Sequence, residues 1–246
     1  MNRIALVTGA VGGLGTADCR ALAEQGRQVV ACDFGIDGDR ALAWREERRK
    51  EGHEIALYNV DVADFDSCKA CVEQIERDLG PVDILVNNAG ITRDGSMKKM
   101  SREDWTAVID VDLSGAYNMT RQVFPGMLER QWGRIVNISS INAQKGQFGQ
   151  ANYSAAKAGL HGFTKALARE GARKGVLVNT ISPGYIDTSM VRAVPKEILE
   201  KIAAEIPVGH LGVPEDIART VAFLCDDAAT YVTGADFSIN GGHHMS

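Results

Sequence analysis

Arg3-Ile4-Ala5-Leu6-Val7-Thr8-Gly9-Ala10-Val11-Gly12-Gly13-Leu14-Gly15 decides the reading of this 246-residue chain. Its first six residues form a short, almost wholly apolar run, the pattern of a strand buried on both faces. Glycines follow at once, and a helix-period stretch, Leu14–Glu24, follows them. A strand that enters a helix through glycines brings backbone N–H groups against an anion at the helix N-terminus. The helix dipole favours a pyrophosphate at the same place. A glycine cluster alone is weak evidence for a dinucleotide site, but its position between a first strand and a first helix strengthens it.

Working outward, the same alternation continues. Strands are expected at Gln28–Cys32, Ile55–Val60, Asp83–Asn87, Arg134–Ile138, Val176–Ile181 and Phe237–Ile239, and helices at Ser67–Leu79, Arg102–Arg130 and Tyr153–Arg173. Strand and helix in repeated order predict an α/β fold with a parallel sheet covered on both faces. Right-handed crossovers make that sheet doubly wound and place its ligand site beyond the carboxyl ends of the strands. Pro214, followed by Glu215 and Asp216, reads as the first turn of another helix. The sequence shows no linker, low-complexity stretch or internal repeat, so one domain spanning residues 1–246 is expected.

Composition narrows the classes of function. The chain has 27 basic and 32 acidic residues, a formal charge of −5. Its densest charged cluster, Arg45–Lys50, contains two glutamates and reads as the solvated face of a helix, so no nucleic-acid partner is expected. The N-terminal stretch lacks the features of a signal peptide, and no apolar run approaches the roughly 20 residues of a membrane helix. A cytoplasmic protein without membrane attachment is expected. The five cysteines, at positions 19, 32, 68, 71 and 225, are an odd number and read as free thiols. Cys68 and Cys71 form a C-x-x-C within a helical pattern, but no second pair completes a zinc site, and the histidines lack ligand spacing. No metal is expected.

Asp33 stands 20 positions after Gly13 at the end of the second strand, where an acidic residue meets the adenosine ribose. A carboxylate there accepts hydrogen bonds from the ribose hydroxyls and repels a 2′-phosphate. Two unit charges about 4 Å apart interact by roughly 4 kcal/mol at an effective dielectric near 20. NADH is therefore expected in preference to NADPH, which remains possible through Arg40. Asp61-Val62 and Asn87-Asn88-Ala89-Gly90 also follow strands and so fall on the same edge of the sheet. The first pair is expected to contact adenine, and Asn88, Ala89 and Gly90 to shape the cofactor loop.

Tyr153 and Lys157 are four apart in a helical pattern and share a face. A free phenol has a pKa near 10 and is a poor proton donor at neutral pH. A neighbouring ammonium and the positive nicotinamide of an oxidised cofactor are expected to lower that value. Ser140, just beyond a strand, is placed to hydrogen-bond a substrate carbonyl. Each residue alone has a bland explanation, since Tyr-x-x-x-Lys pairs and strand-end serines are common.

The combination Thr8-Gly9-x-x-x-Gly13-x-Gly15, Asn87-Asn88-Ala89-Gly90, Ser140, Tyr153-x-x-x-Lys157 and Pro183-Gly184, in that order, resembles the short-chain dehydrogenase/reductase family over essentially the whole chain. The resemblance implies a seven-stranded Rossmann sheet, usually assembled as a homotetramer. It implies Tyr153 as the acid, with Lys157 also holding the nicotinamide ribose. Val11, Gly12, Leu14 and Gly15 would belong to the cofactor loop, and Pro183, Gly184, Ile186 and Thr188 would cover the nicotinamide. One departure stands out: the family pattern Asn-Leu-x-Gly reads Asp112-Leu113-Ser114-Gly115 here. Asp112 is expected to serve as the fourth catalytic member through its backbone carbonyl, while its added carboxylate is expected to raise the Lys157 pKa or alter the helix.

Within that family, Asn142 to Gln150, Gly90 to Asp94, Trp132 to Arg134 and Gly234 to Ser238 are similar to acetoacetyl-CoA reductases of polyhydroxybutyrate synthesis. The similarity implies reduction of acetoacetyl-CoA to (R)-3-hydroxybutyryl-CoA. Asp94, Gln147 and Gln150 then offer polar contacts, Phe148 and Tyr185 an apolar wall, and Lys99 a CoA phosphate contact. Relatives often carry arginine where Pro195 stands, so Lys196 is the candidate replacement. The competing reading is a 3-oxoacyl-acyl-carrier-protein reductase, from which Gln147-Phe148 is the discriminating pair. A non-catalytic nucleotide-binding scaffold is the alternative of another class, disfavoured by the intact Ser140, Tyr153 and Lys157.

Overall fold

The computed structural model describes residues 3–36, 38–192 and 195–245. The parallel strands are β1 (Ile4–Thr8), β2 (Gln28–Asp33), β3 (Ala56–Asn59), β4 (Val82–Asn87), β5 (Gly133–Ile138), β6 (Val176–Pro183) and β7 (Asp236–Ile239). They form one seven-stranded sheet in the order β3-β2-β1-β4-β5-β6-β7. Every expected strand is present, with ends that differ by at most two residues. The order turns back between β1 and β4, so the connections leaving these two strands diverge and open a crevice at their carboxyl ends.

Helices α1 (Gly13–Glu24) and α2 (Asp39–Lys50) connect the first strands, and α3 (Phe65–Asp78) precedes β4. After β4 come α4 (Arg102–Ile109) and α5 (Gly115–Arg130), and after β5 come the short α6 (Asn142–Lys145) and the long α7 (Ala151–Gly171). The last crossover carries α8 (Ser189–Arg192), α9 (Lys196–Glu205) and α10 (Pro214–Leu224). Two hydrophobic clusters result, one on each face of the sheet. Leu6, Ile75, Leu85, Met119 and Ile135 lie in the first, and Val7, Leu22, Val86, Ile181 and Ile217 in the second. Alternating strand residues feed opposite clusters, as the two-residue period of a strand requires.

The expected helix Arg102–Arg130 is interrupted. Residues Asp110–Ser114 form a π-turn between α4 and α5. Such wide turns recur at functional sites because they rotate the side chains that follow. The buried Asp112 lies in this turn. Asp64 caps α3 by accepting from the N–H groups of Asp66 and Ser67, and Ser101 caps α4 by accepting from Asp104 N–H. The start of α1 has no side-chain cap, so its first N–H groups remain available to a ligand.

Candidate active site

A cavity of about 500 Å³ opens at the carboxyl edge of the sheet. Its walls include Gly9, Gly12, Gly13, Asp33 and Asn88 at one end and Ser140, Tyr153, Lys157 and Tyr185 at the other. Gly9 and Tyr185, 176 positions apart, therefore share one chamber.

At the nucleotide end the backbone comes too close for side chains. Gly9 has φ of +61°, and a Cβ on it would lie 2.8 Å from Ala89 Cα. A Cβ on Gly13 would lie 2.9 Å from Thr188 Cγ2, so the segment 183–188 folds directly over the glycine loop. Asn88 ties loop to strand by donating from Nδ2 to the carbonyls of Thr8 at 2.9 Å and Gly9 at 3.0 Å. Asp33 accepts from Val11 N–H at 2.8 Å and from Phe34 N–H at 2.8 Å. Arg40 lines the same end and donates from Nη2 to Val11 O at 3.1 Å. Free helix-end N–H groups, a cradle without Cβ atoms and a carboxylate beside it fit a dinucleotide. Bound there, a nicotinamide cofactor would supply the hydride.

Asp61, Val62, Val11 and Gly15 do not line the cavity themselves. Val62 is buried, and Asp61 turns its carboxylate to Ala63 N–H at 3.0 Å. Gly90, Pro183, Gly184, Ile186 and Thr188 do line it.

At the catalytic end, α7 presents Tyr153 and Lys157 on one face. Lys157 Nζ lies 5.6 Å from the centre of the Tyr153 ring. Asn152, fully buried, anchors the start of the helix. Its Oδ1 accepts from Tyr153 N–H at 2.8 Å, while its Nδ2 donates to Arg93 O at 3.0 Å and Asp104 O at 3.2 Å. Ser140 is buried at the cavity wall, and its Oγ accepts from Asn142 N–H at 3.1 Å. Lys157 Nζ donates to Ile138 O at 3.0 Å and pairs with Asp112 Oδ2 at 3.2 Å.

The charges are strongly coupled. Burial pushes the Tyr153 phenol above its ordinary value; Lys157 and Ser140 pull it down, and Asp112 and Asp94 push it up. The lowering expected from Lys157 does not prevail in the protein alone, because burial and the two carboxylates outweigh one ammonium. Burial works against the Lys157 charge as well, yet Asp112 and Tyr153 more than offset it and hold the ammonium above its ordinary value. Asp112 is raised by burial and drawn down by Lys157 and by Ile91 N–H.

The expected substrate residues divide into two groups. Asp94, Gln150 and Tyr185 line the cavity, whereas Lys99, Gln147 and Phe148 do not. Phe148 is 89% exposed. Gln150 is not a free amide donor: its Nε2 donates to Asp94 at 3.0 Å, and its Oε1 accepts from Asn142 Nδ2 at 2.9 Å. It acts as a strut across the cavity mouth. Lys196 stays exposed and pairs with Glu200 at 3.7 Å. Asn142 and Asn152 had no motif of their own in the sequence; only their buried hydrogen bonds reveal them. Among the described residues no helix is long and apolar enough to cross a membrane, and no three His, Cys, Asp or Glu residues could hold a metal ion.

A doubly wound sheet with a glycine-lined nucleotide cradle and a Ser-Tyr-Lys wall defines a nicotinamide-dependent oxidoreductase. A family model described as enoyl-(acyl carrier protein) reductase matches residues 9–244. The chain belongs to this branch of the short-chain dehydrogenases/reductases. It is 55% identical to an acetoacetyl-CoA reductase of Cupriavidus necator over 244 residues, 99% of each chain. A 3-oxoacyl-[acyl-carrier-protein] reductase of Pseudomonas aeruginosa is 43% identical and is covered to 98% of its length. An actinorhodin polyketide ketoreductase variant crystallised with NADPH superposes with a TM-score of 0.94 at 36% identity, covering 98% of this chain and 97% of its own.

Proposed function

We propose that the protein reduces the 3-keto group of acetoacetyl-CoA to (R)-3-hydroxybutyryl-CoA, with NADH as the preferred reductant. The observation that carries this reading is the meeting of Ser140, Tyr153 and Lys157 on the wall of a cavity whose far end is the glycine loop. The identity to acetoacetyl-CoA reductases over the full chain supports the acyl group and its CoA handle. Ser140 holds the keto oxygen, and Tyr153 Oη donates the proton to that oxygen as negative charge develops on it. Lys157 keeps a positive charge beside the phenol and leaves one N–H direction for the nicotinamide ribose. Tyr185 walls the acyl chain, and Asp94 with Gln150 closes the mouth.

Asp33 supports the preference for NADH because its carboxylate lies on the cavity wall at the glycine-loop end and, among the described residues, has no cation paired to it. Arg40, held on the Val11 carbonyl, is the group that would accommodate a 2′-phosphate. We also assign a homotetramer in the cytoplasm. In support, Trp105 and Tyr117 are 38% and 49% exposed on α4 and α5, and α7 exposes Ala155, Ala158, Gly162 and Ala166, a flat surface suited to helix packing. The same single domain, residues 1–246, would carry both the cofactor and the substrate.

Tyr153→Phe is expected to keep NADH binding, read by fluorescence, and to lose about 100-fold or more in kcat; wild-type turnover would sink the proton-donor assignment. Comparing kcat/KM for acetoacetyl-CoA and acetoacetyl carrier protein tests the handle, and equal or faster carrier-protein turnover would favour the carrier-protein reading. Asp33→Ala is expected to move the NADH/NADPH ratio of kcat/KM at least tenfold toward NADPH, equivalent to about 1.4 kcal/mol. An unchanged ratio would show that Asp33 does not read the ribose.

A further inference from the structure

We infer that the Asp112 carboxylate is a positioning group for Lys157: it offsets part of the lysine's charge and thereby sets the pH range over which Tyr153 donates its proton. The inference rests on the assignment of Tyr153 as proton donor.

The carboxylate meets a different neighbour at each oxygen. Oδ1 accepts from Ile91 N–H at 2.8 Å, and Oδ2 lies 3.2 Å from Lys157 Nζ. The two side chains are 0% and 4% exposed, so their interaction is little screened by solvent. The fold leaves a slot for this pair. A Cβ on Gly90 would lie 2.8 Å from Asp112 Oδ2 and 3.1 Å from Lys157 Nζ, so any other residue at position 90 would displace the carboxylate and crowd the ammonium. On the opposite side, the π-turn Asp110–Ser114 carries Asp112 toward α7.

The charged groups that bear on the phenol come from three elements. Lys157 is on α7, Asp112 is on the π-turn, and Asp94 is in the connection after β4. His161, one turn beyond Lys157 on α7, points its Nε2 at Ser139 Oγ, 3.0 Å away. Lys157 alone would stabilise the phenolate. With a carboxylate 3.2 Å from the ammonium, the pair presents a much weaker positive potential at Tyr153. An asparagine at position 112 could still accept from Ile91 N–H through its carbonyl oxygen, yet it would leave the lysine charge uncompensated. The two residues are therefore nearly equal in shape and unequal in field, which is what makes the effect separable from folding.

The test is the pH dependence of kcat/KM for acetoacetyl-CoA reduction, which reports the ionisations of the free enzyme. In this direction the phenol must be protonated, so activity falls as pH rises through its pKa. In Asp112→Asn the alkaline limb is expected to move down by about 1 pH unit, with the Kd for NADH changed less than threefold. A limb that stays in place or moves up would overturn the inference. Should Asp112→Asn fail to fold, the phenolate absorbance difference between wild type and Tyr153→Phe provides a second measurement. Measured in the same way in an Asp112→Ser background, the Tyr153 transition is expected about 1 pH unit below its wild-type position, and a transition at or above that position would overturn the inference. An active Tyr153→Phe would instead remove the parent assignment. An inactive Tyr153→Phe combined with an unshifted Asp112→Asn profile removes this inference alone.

Discussion

Asp112 and Asp18 are both buried carboxyls, at 2% and 0% exposure, but only the first has partners. Asp112 lies in the π-turn against Lys157 and Ile91 N–H. Asp18 lies on the buried face of α1, the helix that packs against α10, and neither of its oxygens has a hydrogen-bond partner among the described residues. Burial pushes its pKa up to about 8, so it is mostly a neutral acid at pH 7. Lys157 and Ile91 N–H draw the Asp112 carboxyl down against burial, whereas nothing draws Asp18 down. The same residue type is part of the electrostatics of a site in one place and a burden on stability in the other.

Removing the cation tests the first half of this contrast and carries the largest expected effect. Lys157→Met strands Asp112 in the interior, and a loss of about 3–5 kcal/mol in unfolding free energy is expected, measured by denaturant titration at pH 7. A loss below about 1 kcal/mol would mean that the pair contributes nothing to the fold.

Asp18 provides the second test. Its carboxyl has an ordinary value of 3.8 and a folded value of about 8. Between the two, the folded protein holds a proton that the unfolded chain has lost. The stability from this group is complete below about pH 4, declines as pH rises through the window and is gone above about 8. The limiting slope is about 1.4 kcal/mol per pH unit. Asp18→Leu is expected to remove this decline, so that it gains about 5 kcal/mol over wild type at pH 8, with little gain at pH 4. Parallel stability curves for wild type and variant would show that Asp18 does not hold the proton.

Gly90→Ala sharpens the comparison with the smallest change. The added methyl pushes on Asp112 Oδ2 and Lys157 Nζ together, so a destabilisation of about 1 kcal/mol is expected, accompanied by a lower kcat. Wild-type stability and rate would mean that the slot has room to spare.

Much of the fold was legible in the sequence because its signals are local. The strands are apolar runs of four to eight residues, and period alone separates them from the helices between. The helix Asp39–Lys50 was harder to see. Its residues Arg45 to Lys50 read as a charged surface, and only Ala41, Trp44 and Arg48 turn inward to define its buried face. The break in Arg102–Arg130 left no mark either, since Asp110 to Ser114 contains neither glycine nor proline. The glycine loop, Asp33, Ser140, Tyr153 and Lys157 could be singled out by type and spacing. That Gln150 is braced by Asn142 and Asp94 could not be read from the sequence, because those two residues stand 8 and 56 positions away.

The sequence by itself determined the order of the elements, and with it the edge of the sheet where a ligand binds, because backbone periodicity and glycine freedom act over a few residues. It also determined which side chains could do proton chemistry. The tertiary structure alone decided how their charges combine. A pKa depends on burial and on neighbours that meet only after folding, so Asp112 came to face Lys157, Tyr153 came to lie above its ordinary value, and Asp18 was left without a partner.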